Sequence, residues 1–450
     1  MTPTPTSRPR SVEPLRPRLQ AVQTTSVGHR TRTAGSPGAS SARIILRNAL
    51  QSENANFYLL LGTVVFLVVI GLIVVFSASS IDSFLSDQGF FGGFLRQAGF
   101  AVVGIPLMLI VSRLPLVFWP TWAKRLLGIG VVLQLLVFSP IGIETGGNRN
   151  WIAIGSFTAQ PSEAIKVIIA VWLGVAIPLA IDRVGSHVWQ VLLPAVPAAG
   201  LMGLVLLGSD LGTVMIMAII VMGALMFAGL PWRILSIPTL IGVLGVAVIA
   251  VTSPNRMNRI MSFLSLDGCT DYSNTCWQPL HGLWAMASGG IFGVGLGNSK
   301  AKWSWLPAAD NDYIFAIIGE ELGLIGCIVI IALFIFLTIL FLRIIRDTDN
   351  RMIRITTGAI MFWIIGQAAI NIGVVVGILP VLGVPLPFLS AGGTALLSNL
   401  VAVGIVLSFA RAERDARRAA NLGPSSTRAR TTSRVRPRSA PEPVSHRRRA

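Results

Sequence analysis

Charge is what this sequence has least of. Only 12% of its 450 residues are Asp, Glu, Lys or Arg, against about 25% in an ordinary soluble domain. With 53% apolar residues and a mean hydropathy of +0.72, that deficit excludes both a typical cytosolic enzyme and a disordered chain. Cysteine is scarce as well. Of three residues, Cys269 and Cys276 share a loop with only His281 nearby, so no zinc centre is expected. The 45 glycines and 26 prolines follow no three-residue period, which excludes a collagen-like rod. The glycine-rich run at 289–297 lies in no strand–helix unit, so it is no dinucleotide fingerprint. About fifty polar residues precede the first apolar run, so no secretory signal is expected.

What is present is a long apolar body between two basic tails. Residues 1–55 hold eight Arg against two Glu, and 411–450 hold twelve Arg against three acids, which accounts for most of the formal charge of +17. Both tails are rich in Pro, Ser, Thr and Arg and too poor in apolar residues to pack, so they are expected to be disordered and to attract anionic lipid. They give no reason to expect nucleic acid as a partner. The body, 56–410, contains ten runs able to cross a bilayer: 57–77, 99–112, 125–138, 162–180, 188–207, 211–228, 235–251, 313–342, 355–378 and 386–409. The expected fold is therefore an all-α integral membrane protein with ten transmembrane helices.

Short-loop positives set the orientation. With the N-terminus in the cytoplasm, nine Lys and Arg residues fall in inner loops and six in outer ones, and both tails are cytoplasmic. Eleven of the fourteen acids of the body then lie at the outer face. The longest connection, 252–312 between spans seven and eight, is also outside, where Cys269 and Cys276 are candidates for a local disulfide. Chemistry or binding is expected on this face.

Four segments carry candidate residues. The first runs from Gly146-Gly147-Asn148-Arg149-Asn150-Trp151 to Gln160-Pro161-Ser162-Glu163 and Lys166. Pro161 suits the first helical position, and Glu163 and Lys166 share a helix face. Such an intramembrane pair is either functional or a helix lock. In the second, Asp210 could cap the span beginning at Leu211. The third runs from Gly289 through Lys300, Lys302, Asp310 and Asp312 to Glu320-Glu321-Leu322-Gly323. Its glycines would let backbone approach a ligand, its lysines could meet phosphate, and either Asp could serve the helix entrance. The fourth, Pro380–Thr394 with Ser390, breaks regular helix at membrane depth, where irregular backbone must line a cavity or be buried.

These four segments, in this order, resemble the SEDS family (shape, elongation, division and sporulation) of ten-span peptidoglycan polymerases. Three runs resemble its division branch rather than its elongation branch: Ala228-Gly229-Leu230-Pro231-Trp232-Arg233, Gly295-Leu296-Gly297-Asn298-Ser299-Lys300 and Tyr313-Ile314-Phe315 onward to Glu321. The Arg/Pro-rich tails are similar to those of actinobacterial members. The chain departs from the family pattern at Gly208-Ser209-Asp210, at Asp310-Asn311-Asp312-Tyr313 and at Ala391, but both acidic motifs keep their carboxylate. The extra Asp310 would raise the pKa of its neighbour by like-charge repulsion.

The resemblance implies polymerisation of lipid II into septal glycan strands, with inversion at the sugar and Asp312 as general base. It offers Arg149, Glu163, Lys166, Asp210, Lys300, Lys302 and Ser390 as substrate-binding candidates. It implies a multi-pass protein of the bacterial plasma membrane at the division septum, with its active face outside. A class B penicillin-binding transpeptidase and other division proteins are the implied partners. No cofactor is demanded by the residues, although a divalent cation is compatible with them. A lipid flippase and a non-catalytic division scaffold are the competing classes. Polymerisation in detergent, where no compartments exist, separates them from a polymerase.

Overall fold

The structure, a computed structural model, describes residues 55–87, 89–145, 147–155, 157–184, 191–252, 257, 259–261, 263, 276–303 and 305–421. The N-terminal tail, the C-terminal residues 422–450 and Cys269 lie outside the described residues. Eleven helices are found among the described residues: α1 Ala55–Leu85, α2 Gly92–Val111, α3 Phe118–Leu136, α4 Pro161–Val184, α5 Ala195–Leu207, α6 Leu211–Phe227, α7 Trp232–Thr252, α8 Trp277–Gly289, α9 Ile314–Arg346, α10 Arg351–Val375 and α11 Gly393–Asn421. A helix lies in each of the ten expected spans, and α8 is an addition within the long loop. Among the described residues, six helices are long and apolar enough to cross a membrane: α1, α2, α4, α9, α10 and α11. Two more apolar helices, α5 and α6, are shorter.

Burial ranks the helices. The most apolar windows of α4, α10 and α11 are 61%, 67% and 72% buried, whereas that of α2 is 22% buried. The first three are therefore the interior of the bundle, and α4 packs against α3, α6, α10 and α11. Small residues allow this closeness: a Cβ on Gly358 of α10 would strike the ring of Phe227 on α6.

Three features depart from the expected pattern. The loop before α4 is a three-stranded antiparallel sheet, β1 Gly142–Thr145, β2 Asn148–Ile154 and β3 Phe157–Ala159, in the order β1-β2-β3. The helix of the tenth expected span, α11, starts at Gly393 rather than at 386, because residues before it are held in a non-helical path by side-chain amides. It also continues to Asn421, eleven residues into the segment expected to be a disordered tail. There the pairs Arg411–Asp415 and Glu413–Arg417 lie one turn apart at 3.8 Å, Thr348 donates to Glu413 at 3.1 Å, and Arg417 donates to the carbonyl of Asp347. Local charge pairing and docking onto the α9–α10 turn extend the helix.

Helix α9 is not continuous. Gly323 adopts φ 68° and ψ −165° within it, a conformation that glycine adopts without steric cost. The backbone freed by the break is not left bare. Residues 290–295 lie alongside and pair with it: Val294 N–H donates to Glu320 O at 2.9 Å, Gly295 N–H to Glu321 O at 3.0 Å, and Leu324 N–H to Gly290 O at 2.9 Å. The glycine run expected to approach a ligand thus approaches the broken helix instead, where a side chain on Gly293 would meet the Glu321 backbone.

Candidate functional site

The residues singled out from sequence fall into three hydrogen-bonded assemblies. The first surrounds Asp210, the N-cap of α6. Its carboxylate accepts from Thr213 N at 3.0 Å, Thr213 Oγ1 at 2.8 Å, Asn150 Nδ2 at 2.8 Å and Gln160 Nε2 at 3.0 Å. A short side chain preceding Leu211 is well placed to bind the free N–H groups of the first turn. Here it also ties β2 and the start of α4 to α6. Arg149, next to Asn150, donates from its guanidinium to the carbonyls of Val137, Phe138 and Ser139 at 3.1–3.4 Å, satisfying the C-terminal end of α3.

The second assembly joins α4 to α10 and the irregular segment before α11. Pro161 opens α4 as expected, and Glu163 Oε1 meets Lys166 Nζ at 2.8 Å in the buried interior. Lys166 continues to Gln367 Oε1 at 3.2 Å and lies 4.9 Å from the Trp363 ring centroid. Gln367 Nε2 donates to Pro385 O at 2.8 Å. One turn on, Asn371 Nδ2 donates to Val384 O at 2.8 Å and to Asp312 O at 2.7 Å. Ser390 completes the frame: it accepts from Leu386 N at 2.8 Å and donates to Asn311 O at 2.6 Å. Gln97 of α2 holds Ser390 O at 2.9 Å, and Ala391 N–H donates to Asp310 O at 2.8 Å. The non-helical backbone before α11 is thus satisfied by buried amides.

Asp312 sits at the top of this frame, at the entrance to α9. Its main chain is clamped, but its carboxylate is not. Oδ1 is shielded from solvent and accepts no hydrogen bond from any described residue, and Oδ2 faces Gly383, where a Cβ would lie 3.6 Å away. Burial, then the neighbouring Asp310 charge, pushes its pKa up to about 6, with Arg259 opposing. Burial also raises Asp310. Like-charge repulsion was expected from the sequence, but desolvation is the larger cause. Neither acid caps α9 with its side chain: the N-cap is Tyr313, which makes no side-chain bond. A carboxylate with a free oxygen and a pKa near neutral can take a proton from a hydroxyl placed beside it.

The third assembly lies around the α9 break. Glu320 accepts from Ser299 Oγ at 2.5 Å, Lys300 N at 2.9 Å and Ala301 N at 3.3 Å. Glu321 accepts from Ser77 Oγ of α1 at 2.6 Å and lies 3.6 Å from Lys302 Nζ. Lys302 is 5% exposed and donates to Gly297 O, so of the two lysines only Lys300 presents its side chain at the surface. An apolar groove of about 310 Å³ runs between α1 and α9 beside the break, lined by Ile70, Ile73, Leu296, Leu322 and Val329 among others.

Glu163, Lys166, Ser390 and Asp312 thus share one frame, whereas Asp210 with Arg149 and Lys302 with Glu321 belong to others. Reading by motif missed Gln97, Gln367 and Asn371. The signal was available, since amides four residues apart in the apolar α10 are costly unless employed. Cys276 is disulfide-bonded and Cys327 is a buried free thiol. Cys269 lies outside the described residues.

Comparison with known proteins adds three findings. The family model described as "Cell cycle protein", FTSW_RODA_SPOVE, matches residues 58–415. The chain is 36% identical over 392 residues to "Probable peptidoglycan glycosyltransferase FtsW" of Mycobacterium tuberculosis, covering 87% of this chain and 74% of the relative. It is 36% identical over 357 residues to "Stage V sporulation protein E" of Bacillus subtilis, covering 77% and 95%. Among solved structures, a chain in "Structural coordination of polymerization and crosslinking by a peptidoglycan synthase complex" superimposes with a TM-score of 0.63 at 23% identity, covering 79% of this chain and 97% of that one. Thermus thermophilus RodA superimposes at 0.58 and 24%, covering 78% and 95%.

Proposed function

The chain belongs to the FtsW/RodA/SpoVE family of cell cycle proteins, and from that premise we propose that it is a peptidoglycan glycosyltransferase of the division type. It polymerises lipid II, a disaccharide-pentapeptide on undecaprenyl pyrophosphate, at the outer face of the plasma membrane. The observation that carries this reading is the Asp312 carboxylate, half-buried, its pKa raised to about 6, and with one oxygen unpartnered among the described residues at the entrance of α9.

The donor sugar is α-linked to pyrophosphate and the bond formed is β-1,4, so a single inverting displacement suffices. Asp312 removes the proton of the acceptor hydroxyl as that oxygen attacks the anomeric carbon. Pyrophosphate departs as an anion and needs no second carboxylic acid, unlike the leaving group of a glycosidase. The exposed Lys300 is placed to meet phosphate charge, and the apolar groove between α1 and α9 suits a polyprenyl tail. Glu163, Lys166 and Ser390 keep the frame that presents Asp312, while Asp210 and Arg149 fix the neighbouring helix ends. A divalent cation would enter with the pyrophosphate. Among the described residues, no group of three His, Cys, Asp or Glu side chains could hold one.

In this reading the chain works at the division septum with its termini in the cytoplasm. A class B penicillin-binding transpeptidase is its membrane partner, and other division proteins meet the cytoplasmic tails. Purified protein supplied with labelled lipid II is expected to form glycan strands in detergent, and Asp312→Asn to form none while remaining folded. Full turnover by that variant would remove Asp312 from the chemistry.

A further inference from the structure

Away from the frame around Asp312, α8 and the loop that follows it carry a set of packed aromatic rings. Trp277 and Trp305 lie within 9° of parallel with centroids 6.2 Å apart. The imidazole of His281 stacks on Trp277 at 4.0 Å and lies 5.9 Å from Trp305, and Trp284 meets it edge-on at 4.9 Å. Trp284 and Trp305 are 54% and 56% exposed, Trp277 is half-buried and His281 is buried between them, so Trp284 and Trp305 offer the open faces of an apolar patch of the kind that marks an interaction site.

The polar content of the patch narrows its chemistry. His281 Nδ1 lies 2.8 Å from the carbonyl of Trp277. A carbonyl only accepts, so Nδ1 carries the proton, and Nε2 of the neutral ring remains as an acceptor. Flat aromatic faces beside one hydroxyl acceptor suit a sugar ring, which offers C–H groups on its face and hydroxyls at its rim.

Position ties the patch to the proposed reaction. Gly282, next to His281, packs so closely on Tyr313 that a Cβ there would lie 2.6 Å from its ring. Gln278 Nε2 donates to Pro307 O at 3.0 Å, fastening α8 to the segment that leads into Asp312. From Gly282 back to Trp277 the helix rises about 7.5 Å. The rings therefore begin beside the residue adjoining Asp312 and lead away from it.

We propose that Trp277, His281, Trp284 and Trp305 form a platform for the growing glycan strand, holding sugars already joined while the next is added. This rests on the glycosyltransferase reading. An incoming precursor needs its sugar only at Asp312, whereas a product must lie along the surface beyond it and brings successive rings to successive aromatic faces.

The test uses the full-length protein and lipid-free β-1,4-linked GlcNAc–MurNAc oligomers, with binding followed by ligand-observed saturation-transfer NMR. Saturable transfer to the sugar protons is expected, weakened about tenfold in Trp305→Ala, roughly the worth of one ring contact. Trp305→Phe should restore it, and Trp232→Ala, at the start of α7, should leave it unchanged. In polymerisation assays, Trp305→Ala should release shorter strands than the parent. No transfer to the oligomers, or equal transfer with Trp305→Ala, overturns the platform. So does strong quenching in nanodiscs by spin-labelled phospholipids of the emission lost in Trp305→Ala, which would assign the rings to the lipid surface. A protein that polymerises lipid II but binds no oligomer loses only the platform. One that binds oligomers but never polymerises loses the parent reading.

Discussion

Asp210 and Asp312 stand at equivalent places, each at the entrance of a helix, yet their surroundings differ. The Asp210 carboxylate accepts four hydrogen bonds from Asn150, Gln160 and Thr213. Asp312 is fastened through its carbonyl by Asn371 and keeps a buried carboxylate oxygen with no described donor. A carboxylate whose lone pairs are filled is a fastener. One that is positioned but unsatisfied retains its basicity for a ligand.

The largest effect expected from this contrast is at Asp312. Asp312→Asn should lower turnover by about 10²–10⁴-fold, the usual contribution of a general base, while Asp210→Asn should alter turnover per folded molecule only slightly. Steady-state polymerisation at matched folded fractions checks both, and the reverse ranking would break the comparison. Turnover should also rise with pH through about 6, as Asp312 loses its proton, and then level off. Stability has the opposite sign. The folded chain binds this proton more tightly than the unfolded chain, so ionisation between about 4 and about 6 costs stability. Thermal melts of the parent against Asp312→Asn across that range should show the cost vanish in the variant.

Next comes the buried pair. Lys166→Met alone should destabilise by about 3–5 kcal/mol by stranding Glu163, and adding Glu163→Gln should recover much of the loss. If the double variant melts like the parent yet its KM for lipid II rises sharply, Lys166 touches substrate rather than only supporting the frame. Asp210→Ala should cost about 1–2 kcal/mol through the lost cap, read as a lower melting temperature with little change in turnover. The smallest effect is expected at Arg351, whose ion pair with Asp182 has both side chains more than half exposed. Arg351→Ala should shift stability by less than about 1 kcal/mol.

Much of the bundle was legible because apolar runs, Pro161 at a helix start and Asp210 before one are local signals. The Glu163–Lys166 pair followed from helical spacing alone. Lys302 did not, because its partner Glu321 is brought to it only by the path of the chain around Gly323. The sheet at 142–159 went unread although Gly146-Gly147 between short β-prone runs is a hairpin signal. Resemblance selected Asp312 over Asp310. Nothing in the spacing distinguished them, since the difference lies in contacts with α10 and the segment before α11, some sixty residues or more away.

The splice at Gly323 limits how this part of the molecule can move. Lifting residues 290–295 away from α9 would leave several amide and carbonyl groups without their partners, at a penalty for each. The long loop's C-terminal part and the upper section of α9 should therefore travel as a single rigid piece. Any gate that admits a bulky lipid-borne sugar has to open along a different seam.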